Sequence, residues 1–193
     1  MKKILLSLVF TVVFGSIAKA NTTPIEKVKK QIKTEESTIS WKGYKVTGQH
    51  SGTIALKSGS LDFSGKNLIG GEFIVDMTTI NTTDIEGEGK SKLDKHLTSE
   101  DFFGVEAHPT AKLVFKSLKS FNKNSYTVTG DLTIKGTTKE VVFVVSIFEN
   151  KATATLKVDR TKFNIKYGSS SFFDNLKDKA IYDEFDLVVE LAY

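Results

Sequence analysis

The 193-residue chain contains no cysteine. That absence removes every disulfide, and it removes the lipid-modified cysteine that anchors bacterial lipoproteins. Arginine is almost missing as well: Arg160 stands alone among 27 basic residues. A nucleic-acid surface needs clustered Lys and Arg with interleaved aromatics, and none is present. Long apolar runs are also lacking. The stretch from Ile4 to Phe14 is followed by Gly15, Ser16 and Lys19, too short for the roughly 20 residues of a membrane-spanning helix. What residues 1–20 do contain is Lys2 and Lys3, that apolar core, and the small-x-small site Ala18-Lys19-Ala20. These predict an export leader cleaved near Ala20, which sends the mature chain to the periplasm or outside the cell.

Cleavage leaves 173 of the 193 residues, the size of one domain with a substantial core. It also removes three lysines and no acid, so 27 basic and 23 acidic residues become 24 and 23, a net charge of +1. The basic character of the full chain therefore says little about partners. Residues 21–36 are polar and lysine-rich and read as a spacer, with Ile25, Val28 and Ile32 placed for two turns of weak helix.

From Ser37 the pattern has period two. Ile39 and Trp41 alternate with polar residues, Gly43 interrupts, and Tyr44 and Val46 resume on the opposite parity, the mark of a strand with a bulge. Ile54 and Leu56, then Leu61 and Phe63, predict two short strands before the turn at Ser64–Asn67. Phe73, Val75 and Met77 oppose Glu72, Ile74 and Asp76. Farther along, Tyr126, Val128, Leu132 and Ile134 alternate with polar residues up to a turn at Gly136-Thr137. Val141–Phe148 is apolar on both parities and predicts cover on its outer face too. Ala152–Val158 and Ile181–Leu191 close the series.

One segment breaks the alternation. Leu93, Leu97, Phe102 and Phe103 recur at helical intervals, and Ser99 before Glu100 and Asp101 predicts the N-cap of a short helix. Thr82–Lys92 reads as a mobile connection into it. After Pro109 strand chemistry returns, so the segment is a lid that must bury two adjacent phenylalanines. Eight or nine one-faced strands on short connections predict an antiparallel sheet, and closing it into a barrel removes the exposed edges. An eight-stranded barrel is just wide enough to be filled by side chains or to hold one slender ligand.

No catalytic constellation emerges. His50, His96 and His108, with Asp94, Glu100 and Asp101 nearby, match no metal-ligand spacing. Ser169-Ser170-Ser171 lacks a nucleophile elbow and reads as a solvated loop. Asp76, Asp131 and Asp186 take the outward parity of their strands, where a carboxylate stays hydrated and ionised.

Several blocks together carry a resemblance: His50–Ile54, Gly70–Met77 with Ile80, His96–Phe103 with His108–Ala111, Gly130–Lys139, Arg160 with Phe163 and Ile165, and the closing Ile181–Leu191. Over residues 37–193 the chain resembles the YceI-like proteins. Gly104 and His108 depart from that pattern, where an acidic residue and a tyrosine are common. The resemblance implies an eight-stranded, lipocalin-like antiparallel barrel with a helical insertion near its mouth, no catalysis and no cofactor. It also implies a pore for an isoprenoid lipid or quinone. The residues expected to face that ligand are Phe63, Phe73, Val75, Phe102, Phe103, Phe115, Leu132, Ile134, Phe143, Val145, Phe185 and Leu187. The residues themselves leave open a packed interior serving a structural or interaction role, and a homodimer.

Overall fold

The computed structural model describes residues 26–193. The leader over residues 1–20 and the start of the spacer, Ile25 included, lie outside the described residues. Nine strands follow: β1 (Lys27–Gln31), β2 (Thr38–Lys45), β3 (Gly48–Ser64), β4 (Asn67–Thr82), β5 (Thr110–Asn122), β6 (Ser125–Ile134), β7 (Thr137–Phe148), β8 (Lys151–Asp159) and β9 (Ile181–Ala192). One helix, α1 (Gly87–Thr98), lies between β4 and β5.

From β2 to β9 each strand pairs antiparallel with the next, and β9 returns to pair with β2, Trp41 opposite Leu187. The result is a closed eight-stranded barrel with no free edge in the ring. The ninth strand, β1, lies against the second half of β3, Val28 opposite Phe63. The stretch read as spacer or weak helix is thus partly a strand. Its five residues are all exposed, so it has no apolar alternation to betray it and forms by backbone pairing alone.

Bulges set the interior. The interruption at Gly43 is a register shift between β2 and β9. The two short strands expected over Gly52–Phe63 are one, β3, because a shift between Leu56 and Ser58 changes its parity, so Leu56 and Leu61 are both buried. A similar shift at Lys116 lets Phe115 and Leu118 both pack on the core. The β6–β7 turn falls one residue earlier than expected, at Lys135 and Gly136, both at positive φ (48° and 70°), the signature of a tight hairpin. Gly52 is required sterically: a Cβ there would sit 2.0 Å from the Asn81 carbonyl oxygen and 2.6 Å from the Trp41 ring.

The apolar face of β7 at Val142 and Val144 is not covered. Val142 is 65% exposed, so its apolar character reflects strand propensity on an open surface rather than a second layer.

Candidate functional site

Inward-facing residues of all eight barrel strands surround a cavity of about 190 Å³. On the measure by which one water takes roughly 10–15 Å³, this is room for on the order of a dozen waters, inside walls of hydrocarbon that give water few partners. Ile39, Leu56, Phe73, Val75, Leu113, Phe115, Leu132, Phe143, Val145, Ala154, Leu187 and Val189 form the walls. The charged and phenolic groups gather at one end, where Tyr44, Arg160, Tyr182 and Glu184 line the rim, and Thr153 alone adds a hydroxyl toward the other.

The lid closes over that same end. α1 is tied to the end of β4: Asp94 accepts from the Thr82 backbone N–H at 2.9 Å and its hydroxyl at 2.6 Å, and Lys90 reaches Asn81 at 2.6 Å and Asp94 at 2.5 Å. The connection read as mobile is therefore pinned at Thr82, which is 1% exposed. Ser99 ends the helix rather than opening one, its Oγ donating to the His96 carbonyl at 2.7 Å. Beyond it the chain folds back, with Phe103 N–H donating to Leu97 O and Val105 N–H to Thr98 O. This reversal points Phe102 and Phe103 at the pore. Their rings meet edge to face at 5.0 Å, and Phe103 approaches Phe185 at 6.4 Å. The Lys135 ammonium donates to the Glu100 carbonyl and joins the lid to the β6–β7 hairpin.

Eleven of the twelve residues named from the sequence line this cavity; Phe63 does not. It keeps the parity of Leu61, because the register shift between Asp62 and Phe63 takes its extra residue, Ile69, on β4; lying two residues farther along β3, it falls past the end of the cavity. There it is 5% exposed and packs on Tyr193 at 5.5 Å, under the Lys30 ammonium. Sequence reasoning missed Trp41, Leu97, Arg160 and Tyr182 as lining residues. For Arg160 a signal existed: the sole arginine of a lysine-rich chain holds a task that a flexible ammonium does not do.

Arg160 is 2% exposed. Its Nε donates to Tyr182 O at 3.0 Å, Nη1 to Ile165 O at 2.8 Å and Nη2 to Ile181 O at 2.9 Å, and Asp183 stands 3.7 Å away. Burial lowers its pKa from the ordinary value. The guanidinium underlies Phe102 at 5.5 Å, so one side chain joins β8, the 160–165 turn, β9 and the lid.

The histidines do not converge. His50 pairs with Asp84 at 3.0 Å, His108 lies beside Gly136, and His96 stacks edge-on against Tyr167 and Phe102. His96 Nε2 is buried without a partner, and burial lowers its pKa, opposed in part by Asp101. Among the described residues no three of His, Asp or Glu come together. Asp186 accepts from Tyr44 at 2.6 Å and from Lys157 at 2.9 Å, and these contacts lower its pKa. The serine run is a solvated loop only in part: Ser170 and Ser171 are exposed, but Ser169 is fully buried and Ser171 donates to Asp183 at 2.5 Å.

The model of the YceI-like domain matches residues 31–193. A UPF0312 protein of Pseudomonas putida is 50% identical over 50 residues, 26% of each chain, and one of Ectopseudomonas mendocina is 41% identical over 64 residues, 33% of each. The matched stretch spans only about a quarter to a third of the length of these curated relatives. Among solved structures, Burkholderia cenocepacia BcnA superposes with a TM-score of 0.66 at 20% identity, over 84% of this chain and 99% of that one. A polyisoprenoid binding domain from Saccharophagus degradans gives 0.56 at 12% identity, over 84% and 97%. At such identities the structural likeness carries the fold, while the domain match carries the family. This chain belongs to the YceI-like family.

Proposed function

We propose that this YceI-like protein is exported and holds an isoprenoid-type lipid or quinone in its barrel, as a carrier, buffer or sensor, without catalysing a reaction. The observation that carries the reading is the hydrocarbon-walled cavity under an aromatic lid. An apolar void is destabilising: at roughly 24 cal/mol per Å³ of residual cavity, one this size costs on the order of several kcal/mol if left empty. A protein with only structural duties gains by filling it with side chains. An apolar ligand recovers that loss, at about 25 cal/mol per Å² of its own buried surface, less the cost of ordering its chain.

The walls support selection of a slender chain with one polar end. An isoprenoid tail would run between Phe73, Phe115, Phe143, Leu132 and Val145, and the polar end would meet the rim at Tyr44 and Tyr182. The Arg160 donors are largely spent on backbone carbonyls, and among the described residues no paired acid and base face the cavity. The similar Saccharophagus degradans domain is described as polyisoprenoid binding, which agrees with this reading. The cavity is complete within one chain, so capture needs no second copy.

The test is organic extraction of protein purified from the cell envelope without detergent, followed by mass spectrometry. An isoprenoid lipid or quinone at near one per chain is expected, and its addition to stripped protein is expected to raise the melting temperature. Extracts holding none, with no shift on adding polyprenol or ubiquinone, refute the proposal.

A further inference from the structure

Five of the twelve large apolar side chains exposed among the described residues gather at the lid end of the barrel: Val46, Tyr167, Phe172, Phe173 and Tyr182. Hydrogen bonds and contacts join them into one surface. Val46 N–H donates to Ala180 O at 3.1 Å and Ile181 N–H to Gly168 O at 2.8 Å. Tyr167 lies 4.5 Å from His96, which packs on the lid residue Phe102, and Tyr182 lines the cavity rim itself.

The two phenylalanines are held outward by a built turn. Buried Ser169 accepts at its carbonyl from the N–H groups of Phe172 and Phe173, at 3.1 and 3.0 Å. These rings are nevertheless 48% and 51% exposed. A fixed turn that presents two adjacent aromatics to water has no use within the fold, and monomers seldom expose such patches without a partner.

Charge identifies the partner. Lys166 lies over the Phe172 ring at 4.5 Å and Lys42 over Tyr44 at 5.6 Å. Neither they nor Lys45, Lys177 and Lys179 form an ion pair within 4.0 Å among the described residues. The neighbouring acids Asp183, Glu184 and Asp186 face Arg160 and Lys157, which leaves Asp174, Asp178 and, beside His96 on the lid, Asp101 against five ammonium groups outside any ion pair. Aromatic rings flanked by lysines suit the headgroup region of an anionic bilayer, where rings enter the interface and ammonium groups meet phosphate. Among the described residues no helix is long and apolar enough to cross a membrane, so this contact is peripheral.

We propose that the lid end docks on the surface of an anionic phospholipid bilayer, with Phe172 and Phe173 entering the interface and the pore opening against the membrane. Its purpose rests on the isoprenoid reading, although its geometry does not. The experiment is flotation of the full mature chain with phosphatidylglycerol–phosphatidylethanolamine vesicles and, separately, with phosphatidylcholine vesicles. The protein is expected to float with the anionic vesicles and to bind more weakly in high salt. Phe172→Ser with Phe173→Ser is expected to weaken partitioning by roughly tenfold or more, at unchanged melting temperature and unchanged co-purified isoprenoid. Phe172→Trp is expected to shift its emission to the blue on the same vesicles. Wild-type protein that stays in the aqueous fraction, or a double variant that floats equally well, overturns the docking proposal. Failure of the isoprenoid reading shows separately, as extracts without isoprenoid from protein that still binds vesicles.

Discussion

Ala154 gives a way to ask whether the cavity is there to be filled. It lines the wall on β8, opposite Val145 on one side and Val189 on the other, and both of those also face the cavity. Replacing it with phenylalanine sends a ring into open space. Burying such a ring stabilises by about 1.5–3 kcal/mol, and imperfect fit returns part of this, since overpacking costs about 1–3 kcal/mol where no space exists. With space for on the order of a dozen waters, the gain prevails. Ala154→Phe is expected to stabilise stripped protein by about 1 kcal/mol, a rise of about 2–4 °C in melting temperature for a domain of this length. It is also expected to abolish the co-purified isoprenoid. Thermal unfolding of stripped and as-purified protein, with mass spectrometry of extracts, measures both. A destabilisation of about 2 kcal/mol or more would mean that the interior is solid, and undiminished lipid would mean that the ligand lies elsewhere.

The two lid phenylalanines are expected to separate. Phe103→Ser, at a half-buried ring on the pore, reduces isoprenoid retention while costing about 1 kcal/mol, whereas Phe102→Ser, at a ring 7% exposed between His96 and Arg160, costs about 3 kcal/mol or more in chemical denaturation. Equal effects of the two would contradict this placement. Arg160→Met leaves three backbone carbonyls and Asp183 without their partner and is expected to cost about 3–5 kcal/mol; a loss under about 1 kcal/mol would show that the clamp is dispensable. Burial holds the folded-state pKa of His96 below its ordinary 6.5. Its contribution to stability is therefore full above that value and is lost as pH falls through the lowered one. Wild type is expected to lose melting temperature relative to His96→Phe as pH falls below the ordinary 6.5 of this histidine, and parallel pH profiles would refute the assignment.

The alternation of Leu132 and Ile134, and of Phe185 and Leu187, was legible because one buried face imposes period two on an antiparallel strand. The features that escaped are those with no such imprint. β1 is Lys-Val-Lys-Lys-Gln with every residue exposed, so only the edge that β3 offers makes it a strand. α1 opens with Gly-Glu-Gly-Lys-Ser-Lys and buries no residue fully; its sequence is a poor helix former, held by the Asp94–Thr82 and Lys90–Asn81 contacts to a strand distant from its own pattern. With the real helix faint, Ser99 and the acids after it looked like a start. The same serine caps the C-terminal end instead, because its hydroxyl can donate to a carbonyl as readily as accept from an amide.

The cavity was the least legible feature, for a geometric reason. Periodicity tells which side of a strand faces inward, but not how far apart opposite walls stand. That distance depends on where bulges change parity, and the extra residues that do so on β3 and β5, Lys57 and Lys116, are neither glycine nor proline. Position along a strand matters as well as parity, as Phe63 shows. It shares the parity of Leu61 in sequence, and Leu61 lines the cavity while Phe63 packs beyond its end against Tyr193. The same local pattern thus serves a cavity wall and a solid plug two residues apart. A packed barrel and a hollow one differ in the summed volume of side chains against the diameter that eight strands enforce. That quantity belongs to the whole ring, so no single stretch of the sequence records it.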